Sequence, residues 1–127
     1  MSETETETGT ELGTRFLEAI TSRDYETLAT CFAEEGTLRG IVPPGLREAD
    51  GREAIVARFR LWTEDIADYE IADSDAAPFA DVLRLRWAVK GVDPELGLNA
   101  YEQTAYAEVS DGEIVHMRLA CSGHRPL

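Results

Sequence analysis

The hydrophobic pattern of this chain changes its period once, near Asp65. Before that point apolar residues recur at helical spacing, and after it apolar and polar residues alternate, as they do in strands with one buried face. A helical first half followed by consecutive strands favours an α+β fold over the repeating pattern of parallel α/β folds. The sequence therefore predicts three N-terminal helices packed in a strongly curved antiparallel sheet.

Three segments of the first half carry helix signals. Residues 11–21 form one apolar stripe, and Asp24 is a suitable N-cap for a second helix, because its side chain can accept an amide hydrogen bond. The apolar positions of that second helix extend to Phe32, and Gly36 follows its expected end. A third helix is expected to start at residues 50–53, where an aspartate and a glutamate have capping-box spacing.

Short strands account for the rest of the chain. Residues 37–42 are mostly apolar and precede a proline-rich segment, so we expect an edge strand leading into a 43–50 loop that is a candidate lid. The second half accommodates four strands (67–73, 80–91, 98–110 and 113–122), a hairpin loop (92–97) and a tight turn at Asp111-Gly112.

Alternation also assigns the two faces of the sheet. Odd-numbered side chains of the last two strands, from Tyr101 to Cys121, are predicted to face the helices. Their even-numbered neighbours form a mixed-charge outer face suited to cross-strand ion pairs. We expect this outer face to be the surface of a homodimer.

The net charge of the chain limits the classes of molecule that it can bind. The formal net charge is −13, with a single lysine, whereas proteins that bind a nucleic-acid backbone need clustered positive charge. Residues 1–10 alternate glutamate and threonine and hold little apolar surface, so they are expected to be a disordered acidic tail. Residues 11–127 have the length of one domain.

Cysteine spacing and hydropathy indicate whether disulfides, metal sites or membrane-spanning helices are to be expected. Cys31 and Cys121 lie far apart, in no CxxC pair and without a histidine at zinc-ligand spacing, so neither a disulfide framework nor a metal site is expected. No apolar run reaches the roughly 20 residues of a membrane-spanning helix, and no secretory leader is evident. We therefore expect a cytoplasmic protein that uses no cofactor.

The element order ααβαββββ is combined with three short motifs: DYE at residues 24–26, GREAI at 51–55 and DGEIV at 111–115. Together these features resemble the nuclear transport factor 2-like superfamily over almost all of the chain after the acidic tail. Within that superfamily the chain is most similar to the SnoaL-like polyketide cyclases and the ketosteroid isomerases. The resemblance implies a cone-shaped, cystatin-like fold with a hydrophobic pocket between helices and sheet.

The resemblance also implies where the acid-base groups of such enzymes would lie. The base of the ketosteroid isomerases matches Gly40, and their supporting tyrosine matches Phe59. Their oxyanion-binding tyrosine and aspartate match Phe16 and Ala105. The acid-base aspartate of the SnoaL-like cyclases matches Leu119. All five polar groups are therefore missing, and no inward Asp-Arg-Asp set like that of the limonene-epoxide hydrolases is predicted.

Tyr101 and Gln103 are the only polar side chains predicted on the pocket face of the long strands. Each either bonds another protein group or orients a ligand oxygen, and Tyr101 can donate to a developing oxyanion. They are therefore the candidate catalytic residues. The rest of the predicted pocket lining is apolar and equally suits a core: Phe16, Phe32, Phe59, Trp62, Trp87, Met117, Leu119 and Cys121.

Histidine suits acid-base work near neutral pH, and the chain has two. His116 is predicted on the outer face, where it is solvated. His124 is expected to be solvated or at an interface, unless its C-terminal segment folds across the pocket mouth or reaches a neighbouring subunit. Cys121 is expected to be inert, because no adjacent base is evident.

The sequence thus predicts a SnoaL-like protein that binds a hydrophobic, polycyclic or polyketide-like small molecule, as an isomerase or cyclase in a biosynthetic pathway. Two other interpretations stay open. One is a non-catalytic small-molecule carrier. The other is a dimeric interaction domain. Both are compatible with the missing acid-base residues.

Overall fold

The structure is a computed structural model that describes residues 3–43 and 45–127. The helices of this part of the chain are α1 (Glu3–Ser22), α2 (Tyr25–Thr30) and α3 (Arg52–Thr63). Its strands are β1 (Phe32–Val42), β2 (Gly45–Asp50), β3 (Ala67–Phe79), β4 (Val82–Asp93), β5 (Gly97–Ser110), β6 (Glu113–Cys121) and β7 (Arg125–Pro126).

The strands form a large, curved, unclosed sheet in the order β2-β1-β6-β5-β4-β3, and β7 pairs with β5. The helices pack against this sheet, which confirms the predicted α+β fold. The sheet is not wholly antiparallel, because β1 runs parallel to β6 while the other pairs are antiparallel. Parallel neighbours need a long crossover connection, and here α3 and four strands provide it.

The core lies between the helices and one face of the sheet. Alternate residues of β4 are buried there, as predicted: Leu83, Leu85, Trp87 and Val89. Four aromatic rings meet in this core, and the Phe16 ring of α1 lies 5.2 Å from Trp87 and 5.9 Å from Phe59. Phe32 completes the cluster, 6.2 Å from Phe16. Such pairs each contribute about 0.5–1.5 kcal/mol beyond burial, so the cluster holds α1 and α3 onto the sheet.

The first helix is longer than predicted. It begins at Glu3 instead of residue 11, so residues 3–10, expected to be a disordered tail, are helical, while residues 1–2 lie outside the described part. From residue 9 onward, the first buried side chain of α1 is that of Leu12, which begins the predicted apolar stripe.

The second helix starts as predicted and ends earlier. The Asp24 carboxylate caps it by accepting the Thr27 amide at 3.1 Å. The helix stops at Thr30, so Phe32 lies on β1 and not on the helix, where it pairs with Ile114 of β6. Pairing with a distant strand outweighs the local helical spacing at this position.

Residues 45–50 form β2, the edge strand beside β1, and not a lid loop. The predicted edge strand is therefore an inner strand. Asp50 does not cap α3, because its carboxylate pairs with Arg39 across the β1–β2 ladder at 2.9 Å. The N-cap is Gly51, whose positive φ of 93° lets its amide reach the Gly36 carbonyl at 2.7 Å.

The predicted tight turn between β5 and β6 is confirmed. Asp111 and Gly112 both have positive φ, as a type I′ turn requires. The β5–β6 ladder shifts register next to this turn. As a result Ile114 is fully buried while Val115 is only half-buried, so the odd-numbered rule fails there. Farther along β6, odd-numbered residues are again the more buried ones.

The outer face of the sheet carries the cross-strand ion pairs predicted for it. Arg86 on β4 pairs with Asp73 at 2.9 Å and with Glu102 at 3.2 Å. His116 is hydrogen-bonded to the Thr37 hydroxyl on the neighbouring β1. Because these pairs are solvent-accessible, each contributes little to the stability of the fold.

Candidate functional site

A cavity of about 170 Å³ lies where α3, the end of β1 and the ends of β4 to β6 come together. Its wall combines aromatic, aliphatic, polar and sulfur-bearing side chains: Val42, Pro43, Leu61, Trp62, Asp93, Tyr101, Gln103, Cys121 and His124. Such a mixed wall offers apolar contact surface together with polar groups that can orient a small molecule.

The structure separates the predicted pocket residues into two groups. Four of them line the cavity: Trp62, Tyr101, Gln103 and Cys121. The other six are buried in the core: Phe16, Phe32, Phe59, Trp87, Met117 and Leu119. Hydrophobic spacing cannot distinguish the groups, because core and cavity share one face of each strand.

Tyr101 on β5 places a hydroxyl in an apolar setting. The residue is 7% exposed, and its hydroxyl oxygen is buried without a hydrogen-bond partner among the described residues. Burial raises the pKa of Tyr101 above its ordinary value, and the neighbouring Tyr69 and Cys121 act in the same direction. The hydroxyl therefore keeps its proton at neutral pH and can donate a hydrogen bond.

Gln103 lies two positions farther along β5, opposite Trp87 on β4 and Cys121 on β6. It is buried, and within the described residues its amide makes no hydrogen bond. An amide side chain can donate and accept. Gln103 and Tyr101 thus both line the cavity, and each carries a polar group without a partner among the described residues.

The C-terminal segment folds across the mouth of the cavity, one of the two placements that the sequence left open. β7 pairs with the start of β5, and the Leu127 amide donates to the Leu98 carbonyl at 3.1 Å. This pairing holds His124 at the cavity, with its Nδ1 2.9 Å from Oδ1 of Asn99. The His124 ring meets that of Tyr101 edge-on, 5.0 Å between centroids.

Asp93 is a wall residue that the sequence analysis missed. It ends β4, and its Oδ1 accepts the amides of Leu96 at 3.0 Å and Glu95 at 2.8 Å. An aspartate ahead of a short glycine-containing turn is the signal that would have identified it. The Leu96 and Glu95 amides, with a smaller contribution from His124, hold the pKa of Asp93 below its usual value.

Acidification is expected to loosen this turn. The folded-state pKa of Asp93 lies below its unfolded value of about 3.9. Its stabilising effect is therefore present above the unfolded value and is lost as pH falls through the folded-state pKa. An NMR titration of the Asp93 carboxyl should show a midpoint below that of an unfolded peptide, and Asp93→Asn should remove the matching acid shift of the Leu96 amide. A midpoint at the ordinary value would contradict this prediction.

The five positions that the resemblance matches to acid-base groups are enclosed in this chain. All five are buried: Phe16, Gly40, Phe59, Ala105 and Leu119. A Cβ added at Gly40 would lie 3.5 Å from Leu119 Cδ2 and 3.7 Å from Trp62 Cη2. Gly40 thus lies against the Trp62 side of the wall, and the side chains at the five positions carry no ionisable group.

Histidine, cysteine and carboxylate side chains are the usual protein ligands of transition metals. Within residues 3–43 and 45–127, no three of them come close enough together to hold a metal ion. Over the same residues, none of the helices combines the length and the apolar character needed to cross a bilayer.

The sequence profile of the SnoaL-like domain matches residues 14–117. The chain belongs to the SnoaL-like family. The matched region runs from α1 into β6, so it includes both layers around the cavity, whereas His124 lies beyond it. A comparison with curated protein sequences gives no match to this SnoaL-like domain.

Solved structures share the fold of this SnoaL-like domain at low sequence identity. A proposed isomerase from Bacillus subtilis has a TM-score of 0.77 and 18% identity, covering 96% of this chain and 90% of that one. A protein with a ketosteroid isomerase-like fold from Catenulispora acidiphila, solved with trimethylamine, has a TM-score of 0.70 and 20% identity, covering 86% and 83%. A proposed polyketide cyclase from Xanthomonas campestris has a TM-score of 0.69 and 19% identity, covering 90% of each chain. At these identities the likeness shows the fold alone.

Proposed function

We propose that this SnoaL-like domain binds a small, largely apolar molecule with an acceptor oxygen in the cavity. The unpaired Tyr101 hydroxyl is the observation that carries this proposal. A buried hydroxyl without a partner costs roughly 1–3 kcal/mol, and a ligand oxygen that accepts its hydrogen bond recovers that energy. Gln103 and Trp62 supply adjoining polar and apolar contacts.

The volume of the cavity limits the size of the ligand. An apolar cavity of about 150 Å³ holds benzene, whereas drug-sized ligands occupy about 300–1,000 Å³. A volume of about 170 Å³ suits a single-ring molecule or a short chain. The polycyclic ligand expected from the sequence exceeds this volume, so we propose a smaller one.

Isomerisation or cyclisation is the reaction class that the family and its structural neighbours support. The Tyr101 hydroxyl would polarise a ligand carbonyl, because a neutral donor in a dry site stabilises charge that develops on oxygen. The neighbour solved with trimethylamine is a precedent for a ligand of this size.

A non-catalytic binding role is the second candidate. It is favoured by the replacement of the relatives' acid-base groups at five positions: Phe16, Gly40, Phe59, Ala105 and Leu119. A carrier needs only the complementary surface and the hydrogen-bond donor. Product analysis with any ligand that binds separates the two candidates.

We also propose that the outer face of the sheet forms a homodimer. The exposed rings of Phe79 and Tyr106 meet edge-on there, 5.6 Å between centroids. Aromatic residues are enriched at protein interfaces, and charged neighbours on the same strands can form reciprocal ion pairs across a twofold axis.

Binding is tested by amide NMR titration with cyclohexanone, a pocket-sized ketone. We expect shifts around the cavity wall, and we expect Tyr101→Phe to weaken binding about tenfold, equivalent to one hydrogen bond of about 1.4 kcal/mol. Tyr106→Phe makes the same chemical change on the outer face and should leave the affinity unchanged. Shifts confined to other surfaces, or equal affinities of wild type and Tyr101→Phe, would refute the proposed site.

A further inference from the structure

We infer that Nε2 of His124 is the proton acceptor of this site, and that Asn99 is its positioning residue. The inference rests on the proposed function and assigns a base to the same cavity. The substrate class is a small ketone or enone with an acidic hydrogen on the carbon next to the carbonyl. The base comes from the C-terminal segment, outside the region matched by the family profile.

The contacts of Asn99 determine which His124 nitrogen carries the proton. The Asn99 amide nitrogen donates to the Gly97 carbonyl at 2.7 Å, so its oxygen is the atom that faces His124. An amide oxygen can only accept, so Nδ1 of His124, 2.9 Å away, must be the donor. In the neutral ring Nε2 then has a free lone pair. Two hydrogen bonds of one buried side chain thus select the tautomer.

The fold holds this pair against the candidate oxyanion donor. Asn99 is fixed on β5, opposite β7, whose pairing keeps His124 at the cavity. The exposed His124 ring meets the Tyr101 ring edge-on, 5.0 Å between centroids, so the rings of the proposed base and of Tyr101 lie side by side at the cavity. A base oriented by a third group is the general arrangement of acid-base sites.

Three residues with ionisable side chains line the cavity together with His124. They are Asp93 at the end of β4, Tyr101 on β5 and Cys121 on β6. The Asp93 carboxylate interacts electrostatically with His124, so the cavity places a carboxylate beside the proposed base.

The reaction needs no co-reactant. The C–H bond next to the carbonyl breaks, and its proton forms an N–H bond at Nε2 of His124. The electron pair forms a C=C bond while the carbonyl oxygen becomes an enolate, which accepts the Tyr101 hydrogen bond. If a proton returns to the same carbon, the result is exchange of a carbon-bound hydrogen with solvent. If it returns to a conjugated carbon, the product is an isomer. Either return restores neutral His124.

Deuterium incorporation into cyclohexanone in heavy water, followed by proton NMR, tests the inference. We expect the wild-type protein to exceed the buffer rate, and we expect His124→Gln to lower the protein-catalysed rate about 100-fold or more. His116→Gln is the matched control, because that histidine bonds to Thr37 on the outer face and should leave the rate unchanged. Binding of cyclohexanone is measured in each variant.

Histidine NMR adds a readout that needs no ligand. Nitrogen shifts of wild-type His124 should report the Nδ1–H tautomer, and Asn99→Ala should shift the population toward Nε2–H and lower the exchange rate while cyclohexanone still binds. An Nε2–H tautomer in the wild type, or bound cyclohexanone that exchanges equally fast in His124→Gln, would overturn the inference. Absence of any cyclohexanone binding to the wild type would instead count against the proposed function.

Discussion

Trp87→Ala is expected to lower the free energy of unfolding by about 3–5 kcal/mol, the usual cost of truncating a fully buried aromatic side chain. Trp87 is 1% exposed, and its ring lies 5.2 Å from Phe16 and 6.2 Å from Phe59. Its removal leaves a void between β4 and the helices that this rigid cluster cannot refill. Because domains are typically stable by only about 5–15 kcal/mol, much of the protein would be unfolded under mild denaturation.

Urea denaturation followed by circular dichroism measures this loss. Phe79→Ala is the control, because its ring is 54% exposed and its removal should cost less than about 1 kcal/mol. Similar losses in the two variants would show that Trp87 does not anchor the core.

Leu119→Asp is expected to destabilise the protein by about 4 kcal/mol or more at neutral pH, because it combines the loss of a core side chain with burial of a carboxylate. Leu119 is 4% exposed. The apolar setting raises the folded-state pKa of the new carboxyl above its unfolded value of about 3.9. The folded state then binds more protons than the unfolded one, so stability falls as pH rises above the unfolded value.

Leu119→Asn is the matched control for this substitution. Asparagine has nearly the same shape as aspartate and cannot ionise, so it shares the packing loss without the pH dependence. Urea denaturation of both variants at acidic and neutral pH separates the two effects. If the variants were equally stable at neutral pH, position 119 would have access to water or a partner and would belong to the cavity.

The two experiments on position 119 bear on how this chain differs from related enzymes. The resemblance to the SnoaL-like cyclases implies that Leu119 occupies the position of their acid-base aspartate, and in this structure Leu119 is buried in the core. The polar groups of the cavity come instead from the end of β4, from β5 and from the C-terminal segment, and the rings of Tyr101 and His124 are in contact. A reaction in this cavity would therefore use wall residues other than the one at position 119.

Local patterns were sufficient to predict much of the fold. The alternation in β4, the Asp24 cap and the Asp111-Gly112 turn each depend on a few neighbouring residues, whose spacing or backbone preference acts over short range. Features that depend on contacts between residues far apart in the sequence were harder to predict. The end of α2 at Thr30 and the edge strand β2 both depend on pairing with residues remote in sequence.

By itself the sequence determined which side chains face inward along most of the long strands, because alternation along a strand assigns faces without reference to any other segment. The exception is the start of β6, where the register shift buries Ile114 instead of Val115. Tertiary structure decided which inward residues are core and which are cavity: Trp87 is enclosed by helices, whereas Tyr101 lies at the end they leave open. It also decided the place of His124, because the Asn99 bond and the β5–β7 pairing join segments that have no local signal for each other. Helices pack closely on one end of the inward face of the sheet and leave the other end uncovered. Only the arrangement of whole helices and strands determines which end stays uncovered.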